Sequence, residues 1–175
     1  MLIIPNNEYF LRIPTFPLHK NHILKIQDIK DLMRREMNQL KGAGIAANQI
    51  GSNWSIFLIS RKVIKKPLDM FIINPQIIWK SNKQKLMNEG CLSVPERREK
   101  IMRAESVTLT GWNEFGRDIK IEKATGLLAQ VLQHETDHLL GKLYIDYLEN
   151  KKINCPEKGC NGDCGDERCL ENKNE

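Results

Sequence analysis

Apolar residues recur at intervals of three and four in two stretches of the chain, residues 28–41 and 125–141. The positions in the first stretch are Ile29, Leu32, Met33, Met37 and Leu40. Those in the second are Leu127, Leu128, Val131, Leu132 and Leu139. This spacing is typical of a helix with one buried face. We predict that Asp28 caps the first helix, that Gly42 ends it, and that Gly141 ends the second.

Between these two helices the pattern favours strands. Residues 54–60 and 70–78 are rich in β-branched and aromatic side chains, and Pro75 inside the second run indicates a sheet edge or a bulge. Residues 106–110 and 119–122 flank an Asn-Glu-Phe-Gly sequence that is typical of a hairpin turn. Strands followed by one late helix indicate an α+β fold.

The length and composition restrict the class of protein. A chain of 175 residues has room for one domain with a hydrophobic core, and its 41% apolar and 28% charged residues exclude a disordered or fibrous protein. We expect no membrane span, because no run approaches about 20 apolar residues, and we expect a cytoplasmic location. Apolar content falls after about Lys151, so we place the catalytic domain at residues 1–150 and a tail at residues 151–175.

The tail differs from the body in charge and in cysteine content. It has six acidic and three basic residues from Cys155 onward, a net charge of −3, so the formal charge of +5 for the whole chain leaves +8 on a basic body. A basic body can attract ribosomal RNA, although scattered surface lysines are the commoner explanation. The tail also holds four cysteines, which are Cys155, Cys160, Cys164 and Cys169. Either they bind a second metal ion, Zn(II), in a small knuckle, or the tail is reduced and disordered; disulfides are the third alternative.

His134, Glu135 and His138 indicate a metal hydrolase. Two histidines four residues apart on a helix project from one face and can reach the same divalent ion, with the glutamate on the flank of that face. A chance surface pair is the alternative. Here, however, the helix is otherwise apolar, and two buried imidazoles without partners would be costly.

The third ligand decides the kind of enzyme, because a hydrolytic site combines three protein ligands with an open position. Tyr144 stands where the metzincin pattern requires a histidine, which excludes that class. A thermolysin-like site would use a downstream glutamate, for which Glu149 and Glu157 are weak candidates. The other source lies upstream, around Cys91, which is the one cysteine of the body.

Three segments occur in the order and spacing of the three motifs of the peptide deformylases. They are residues 42–49 (GAGIAANQ), 89–93 (EGCLS) and 133–138 (QHETDH). The chain resembles that family from about residue 10 to residue 148. The resemblance implies small, mostly antiparallel sheets around a central metal-binding helix. It also implies a hydrolase that removes the N-formyl group from the N-terminal formylmethionine of newly made polypeptides and releases formate.

The resemblance also implies the roles of the site residues. The metal ligands are Cys91, His134 and His138. Glu135 moves the proton of a water molecule, and the Gln49 amide and the Leu92 backbone N–H are the donors that stabilise the oxyanion. Because a thiolate lowers the Lewis acidity of the ion and the family characteristically uses ferrous iron, we expect Fe(II), with Zn(II) and Ni(II) as alternatives.

For the substrate, the resemblance implies an extended peptide that pairs with the protein backbone as an added strand. The pairing residues are Ala43, Gly44 and Gly90. Val131 should line the methionine pocket, and Glu89 with Arg98 should form a supporting polar pair. Ala43 is smaller than the residue of many relatives at this place, which predicts a more open rim.

Two rival functions remain. One is a zincin-type metallopeptidase that cleaves an internal peptide bond. The other is a non-catalytic binding protein whose tail contacts RNA or the ribosome, against which Glu135 and Gln49 are both intact. We expect N-formylmethionyl nascent peptides and the ribosome as partners, and neither a membrane nor specific DNA.

Overall fold

The structure is a computed structural model that describes Pro5 and residues 9–148. Its helices are α1 (Gln27–Gln39), α2 (Arg61–Ile64) and α3 (Gly126–Leu139), with 3-10 helices at Tyr9–Arg12, Lys20–Ile26 and Ala47–Ile50. Its strands are β1 (Gly44–Ala46), β2 (Ile56–Ile59), β3 (Met70–Lys80), β4 (Gln84–Cys91), β5 (Val94–Ala104), β6 (Ser106–Trp112) and β7 (Asp118–Thr125). These elements lie in a unit of Met1–Tyr144, and a second unit is Ile145–Glu175. Among the described helices, none is both long enough and apolar enough to cross a membrane.

A five-stranded antiparallel sheet lies between the two long helices. Its strand order is β1-β2-β3-β6-β7. Successive side chains of a strand point to opposite faces, so Phe57 and Ile59 of β2 pack with Leu132 of α3, whereas Ile56 and Leu58 pack on the other side with Met33 and Met37 of α1. The fold is α+β with small antiparallel sheets, as predicted.

The remaining two strands form a separate hairpin. β4 and β5 pair without interruption from Gln84 opposite Ala104 to Gly90 opposite Arg98, and the register then shifts before Cys91 opposite Val94. The hairpin turn therefore follows Cys91 directly. This places the cysteine at the end of β4.

The first helix has the predicted position but neither of the predicted ends. Asp28 lies in the first turn, and the N-cap residue is Ile26, without a side-chain cap. The Asp28 prediction is wrong because the 3-10 helix Lys20–Ile26 runs directly into α1 and leaves no free start to cap. The Gly42 prediction is also wrong, since Lys41 adopts the left-handed conformation (φ 54°) and turns the chain after α1.

Pro75 marks a bulge inside the sheet. The pairing of β3 with β6 shifts between Ile73 and Gln76, and β3 is an interior strand, so of the two predicted settings the bulge is confirmed. Asn74 has φ 49°, and its side-chain amide bonds both the N–H and the C=O of Leu18 at 2.8 Å. The bulge therefore also holds the N-terminal segment.

The third helix packs largely as predicted. Val131, Leu132 and Leu139 are buried, and Gly141 beyond the helix end has φ 72°. Leu127 is wrong as a packing residue, because 54% of it is exposed. It lies in the first turn of α3, on the side that lines a cleft rather than the core.

Candidate active site

Three candidate ligand atoms meet where α3 faces the end of β4. His134 and His138 lie one helical turn apart, with ring centroids 4.9 Å from each other. The Cys91 Sγ lies 3.2 Å from the His138 Nε2, and the ligand atoms of all three residues lie within 4.8 Å of one another. Cys91 and His138 are buried, whereas the His134 side chain keeps 11% of its surface exposed. The site is therefore shielded from solvent at Cys91 and His138 and accessible to solvent at His134.

Two N–H groups point at the Cys91 sulfur. The Ser93 backbone N–H lies 3.4 Å from the Sγ, and the Gln49 side-chain amide nitrogen lies 3.5 Å from it. Both donors are directed at the sulfur atom that would hold a metal ion. The turn after β4 thus prepares Cys91 as a ligand.

The donor set fits a divalent transition-metal ion. One thiolate and two imidazoles are the ligands that first-row metals prefer, and bonds of about 2.0 to 2.3 Å place the ligand atoms of one ion roughly 3 to 4.6 Å apart. The buried Oε2 of Glu135 has no hydrogen-bond partner among the described residues. A buried polar atom without a partner is unusual and indicates a ligand or a water molecule at this place.

Glu89 holds the ring of His134. Its Oε2 lies 2.9 Å from the His134 Nδ1, so the Nδ1–H donates to the carboxylate and the Nε2 is directed into the site. Burial alone would raise the pKa of Glu89, but the hydrogen bonds to His134 and Arg103 outweigh it and lower the pKa below the ordinary value. Burial likewise opposes the protonation of His134, yet Cys91 and Glu89 raise its pKa well above the ordinary value. The surroundings of His134 therefore favour positive charge.

Glu135 lies beside the ligands in a space that Gly44 leaves open. The glutamate is 4% exposed, and burial raises its pKa to about 7 against the opposing effect of His134. A Cβ atom at position 44 would lie 2.6 Å from the Glu135 Oε1. Only glycine therefore allows the carboxylate to occupy this position on the cleft floor.

The amide of Gln49 is held at both ends. Its Oε1 accepts a hydrogen bond from the Ala46 N–H at 2.9 Å, and its Nε2 donates to the Ser93 hydroxyl at 3.1 Å. This arrangement orients the NH₂ group toward Cys91. Gln49 is only 2% exposed, so its amide is buried and not an ordinary surface group.

A cleft of about 430 Å³ opens in front of these residues. One wall contains the segment before β1 and the start of β1, and the other contains the end of β4, the turn and β5. The predicted substrate residues that line it are Ala43, Gly44, Gly90, Arg98 and Val131, and the predicted catalytic residues that line it are Gln49, Leu92 and Glu135. Cys91 and His134 also face the cleft.

Glu89 does not belong to the cleft, and its predicted pairing with Arg98 is wrong. The Glu89 side chain is 1% exposed and is bonded to Arg103 at 2.7 Å and 3.0 Å. Residues directly opposite each other in a hairpin share one face, and Arg98 is opposite Gly90. Arg98 therefore projects from the opposite face of the hairpin, where it lies over Gly90.

Sequence reasoning missed three residues of the site: Ser93, Arg103 and Asp137. Arg103 shares a face of the hairpin with Glu89, since it is opposite Lys85 and the alternation of side chains repeats every two residues. Asp137 follows His134 by three residues on α3 and pairs with Arg103. The sequence offered no clear signal for the two charged residues, because Arg103 lies in a stretch rich in charged residues and Asp137 lies among the polar residues around His134.

Several predictions fall on residues outside the described part of the chain. These are the tail boundary at residue 151, the weak candidates Glu149 and Glu157, and the cysteines Cys155, Cys160, Cys164 and Cys169. Tyr144, where a metzincin would carry a histidine, donates its hydroxyl to the Arg97 carbonyl at 2.8 Å.

Known proteins are similar to this chain in sequence and in fold. The family model described as polypeptide deformylase matches residues 1–154. A peptide deformylase of Rickettsia typhi is 43% identical over 126 residues, which cover 69% of this chain and 71% of the relative. The crystal structure of a probable peptide deformylase from Synechococcus phage S-SSM7 has a TM-score of 0.75 and 33% identity, covering 83% of this chain and 97% of that one. The crystal structure of a peptide deformylase from Legionella pneumophila has a TM-score of 0.76 and 30% identity, covering 88% of this chain and 98% of that one.

Proposed function

We propose which residues of this chain carry out the reaction of its family. The chain belongs to the polypeptide deformylase family, and it is an enzyme that removes the N-formyl group from formylmethionine at the start of new polypeptides. Cys91, His134 and His138 hold one divalent metal ion. The observation that carries the proposal is that three ligand atoms lie within 4.8 Å of one another, beside the Glu135 carboxylate. A metal ion bound there would supply Lewis acidity and lower the pKa of a water molecule.

Glu135 moves the proton. Its carboxylate reaches the cleft, and its Oε2 has no partner among the described residues, so it can accept a proton from the attacking water. The water oxygen forms a bond to the formyl carbon, and the C–N bond of the formamide then breaks. Glu135 returns the proton to the leaving amine, which yields formate and a free N-terminus.

Gln49 and Leu92 stabilise the negative charge that develops on the formyl oxygen. Donors that are already oriented toward the position of the developing charge lower the barrier without reorganising during the reaction. The support for Gln49 is that Ala46 and Ser93 hold its amide in one orientation next to Cys91. Leu92 lies in the turn after β4, and its backbone N–H is the second donor.

The substrate binds as an added strand between two sheet edges. β1 is the edge strand of the five-stranded sheet, and β4 pairs with β5 in the two-stranded hairpin. The backbone of Ala43 and Gly44 on one wall and of Gly90 on the other can pair with an extended peptide. Val131, which lies on α3 one turn before His134 and faces the cleft, lines the methionine pocket.

We propose Fe(II) as the native ion, with Zn(II) and Ni(II) as alternatives. The thiolate donor supports an ion that remains reactive when a negative ligand reduces its Lewis acidity. Metal analysis of protein purified without oxygen identifies the ion. Zinc alone, with full activity, would contradict the iron assignment.

Further proposals concern the cellular setting. The substrate is an N-formylmethionyl nascent peptide, which supports a cytoplasmic location and an encounter near the ribosome.

We propose that the tail from residue 151 forms a separate module in which Cys155, Cys160, Cys164 and Cys169 bind a second ion, Zn(II). Four clustered cysteines are a sufficient ligand set for one zinc ion.

The proposed site is tested with two substrates and one variant. The intact protein should release formate from a formyl-Met peptide and should leave an unformylated peptide uncut. The C91A variant should lose the bound metal and its turnover while it remains folded, because two imidazoles alone hold the ion weakly. Internal cleavage without formate would instead identify a zincin-type peptidase, and an active, metal-loaded C91A protein would refute the ligand assignment.

A further inference from the structure

Arg103 is a buried cation between the two elements that supply the candidate ligands. It lies near the end of β5 and is 4% exposed. Its Nε and Nη2 donate to the two carboxylate oxygens of Glu89 at 2.7 Å and 3.0 Å, and its Nη1 donates to Asp137 of α3. One guanidinium therefore joins the hairpin that carries Cys91 to the helix that carries His134 and His138.

The contact with Glu89 leads directly to a ligand. The same Glu89 Oε2 that accepts from Arg103 also lies 2.9 Å from the His134 Nδ1. A carboxylate fixed by two parallel hydrogen bonds has a single orientation. The position of the His134 ring therefore depends on the arginine that orients its acceptor.

Other polar contacts also join the hairpin to α3, but they do not involve Arg103, Glu89 or His134. Gln130 donates to the Asn88 carbonyl at 2.8 Å, and Gln133 bonds the N–H and the C=O of Ala104. These contacts support the docking of the two elements. Arg103 pairs with both Glu89 of the hairpin and Asp137 of α3.

We propose that Arg103 is a positioning residue that sets the affinity of the site for its metal ion by orienting His134 through Glu89 and by fixing α3 through Asp137. This inference rests on the proposed metal site. Arginine suits the role because its planar guanidinium presents a fork of donors, whereas a lysine ammonium is a point charge on a flexible stem. Loss of an outer partner of a ligand typically weakens metal binding about 10- to 100-fold.

The test compares Co(II)-loaded full-length protein and its R103K variant in titrations with a chelator. R103K keeps the charge but cannot bridge the two carboxylates with the same geometry, so its Kd for Co(II) should rise about 10- to 100-fold. The thiolate-to-Co(II) charge-transfer absorption should shift as well, because the His134 ring moves relative to Cys91. R34K is the matched control, since Arg34 also bridges two carboxylates, Asp31 and Glu114, but lies elsewhere. Its Kd should stay within about twofold of the parent.

A double-mutant cycle tests whether Arg103 acts through Glu89. If it does, the E89Q/R103K protein should bind Co(II) about as weakly as the weaker single variant, since coupled residues give non-additive effects. A folded R103K protein with the parent Kd and spectrum, or fully additive effects in the cycle, overturns the proposal. If R103K fails to fold, D137N replaces it, since that variant alters only the contact between Arg103 and α3. A D137N protein with the parent Kd for Co(II) would also overturn the proposal. A parent protein that binds no Co(II), or whose binding survives C91A, refutes the metal site itself.

Discussion

At the residue scale, the roles of Glu135 and the three candidate ligands are separable. Glu135 is buried next to the ligands, but it is not one of the three residues whose ligand atoms converge. We therefore expect E135A to keep about one equivalent of metal and to lose 10²-fold or more in kcat, the usual contribution of a general base. Metal analysis and formate release measure the two properties on one sample. A metal-free E135A protein would show that the glutamate is a ligand and that its assignment is wrong.

Gly44 provides a second prediction at this scale. An alanine Cβ there would lie 2.6 Å from the Glu135 Oε1, which is closer than real Cβ contacts allow. The carboxylate must therefore move, and a displacement of about 1 Å can cost on the order of 10²-fold in rate. We expect G44A to stay folded and to bind metal, but with kcat reduced by that order. Steady-state kinetics and a thermal melt measure it, and unchanged kcat in a folded G44A protein would contradict the proposed position of Glu135.

At the element scale, the orientation of α3 can be tested by two leucines on the same helix. Leu132 is fully buried against the sheet, whereas Leu127 is 54% exposed at the cleft. L132A should lower the free energy of unfolding by about 2 to 5 kcal/mol, because it leaves a cavity in the core. L127A is its control and should change that energy by less than about 1 kcal/mol. Denaturant unfolding of both variants decides the point, and equal losses would mean that the helix is rotated from the described position.

The elements themselves were predictable where periodicity is long. The two amphipathic helices and the β6–β7 hairpin occur where the spacing of apolar and turn residues placed them. The ends of α1 were not predictable. A 3-10 helix continues into Gln27 and removes the need for a cap, and Lys41 rather than the adjacent glycine takes the positive φ. Both outcomes depend on how the neighbouring segments pack, and local propensity is a weak guide to packing.

At the scale of the whole molecule, sequence motifs predicted the residues proposed to contact substrate or metal. They did not predict the residues that hold those side chains in position. The motif around Cys91 and the His134 pair indicated which atoms should converge, and the structure brings them within 4.8 Å. Arg103 belongs to no motif, and its partners Glu89 and Asp137 are 14 and 34 residues away. The predicted pairing of Glu89 with Arg98 was wrong because the register of the hairpin decides which side chains share a face, and these two lie on opposite faces.

The tail is the part of the chain for which sequence alone carries the argument. Four cysteines and six acidic residues follow the catalytic domain, and all three candidate metal ligands lie within the described residues, well before the tail. A protein ending at residue 150 should therefore deformylate short formyl-Met peptides at a rate within about twofold of the intact chain. If the tail binds Zn(II), the intact protein should contain two metal equivalents and the shortened protein one. Replacing the four tail cysteines by serine in the full chain is the matched control and should also leave one equivalent. One equivalent in all three proteins would refute the second site, and a collapse of turnover on shortening would show that the tail is required by the catalytic fold.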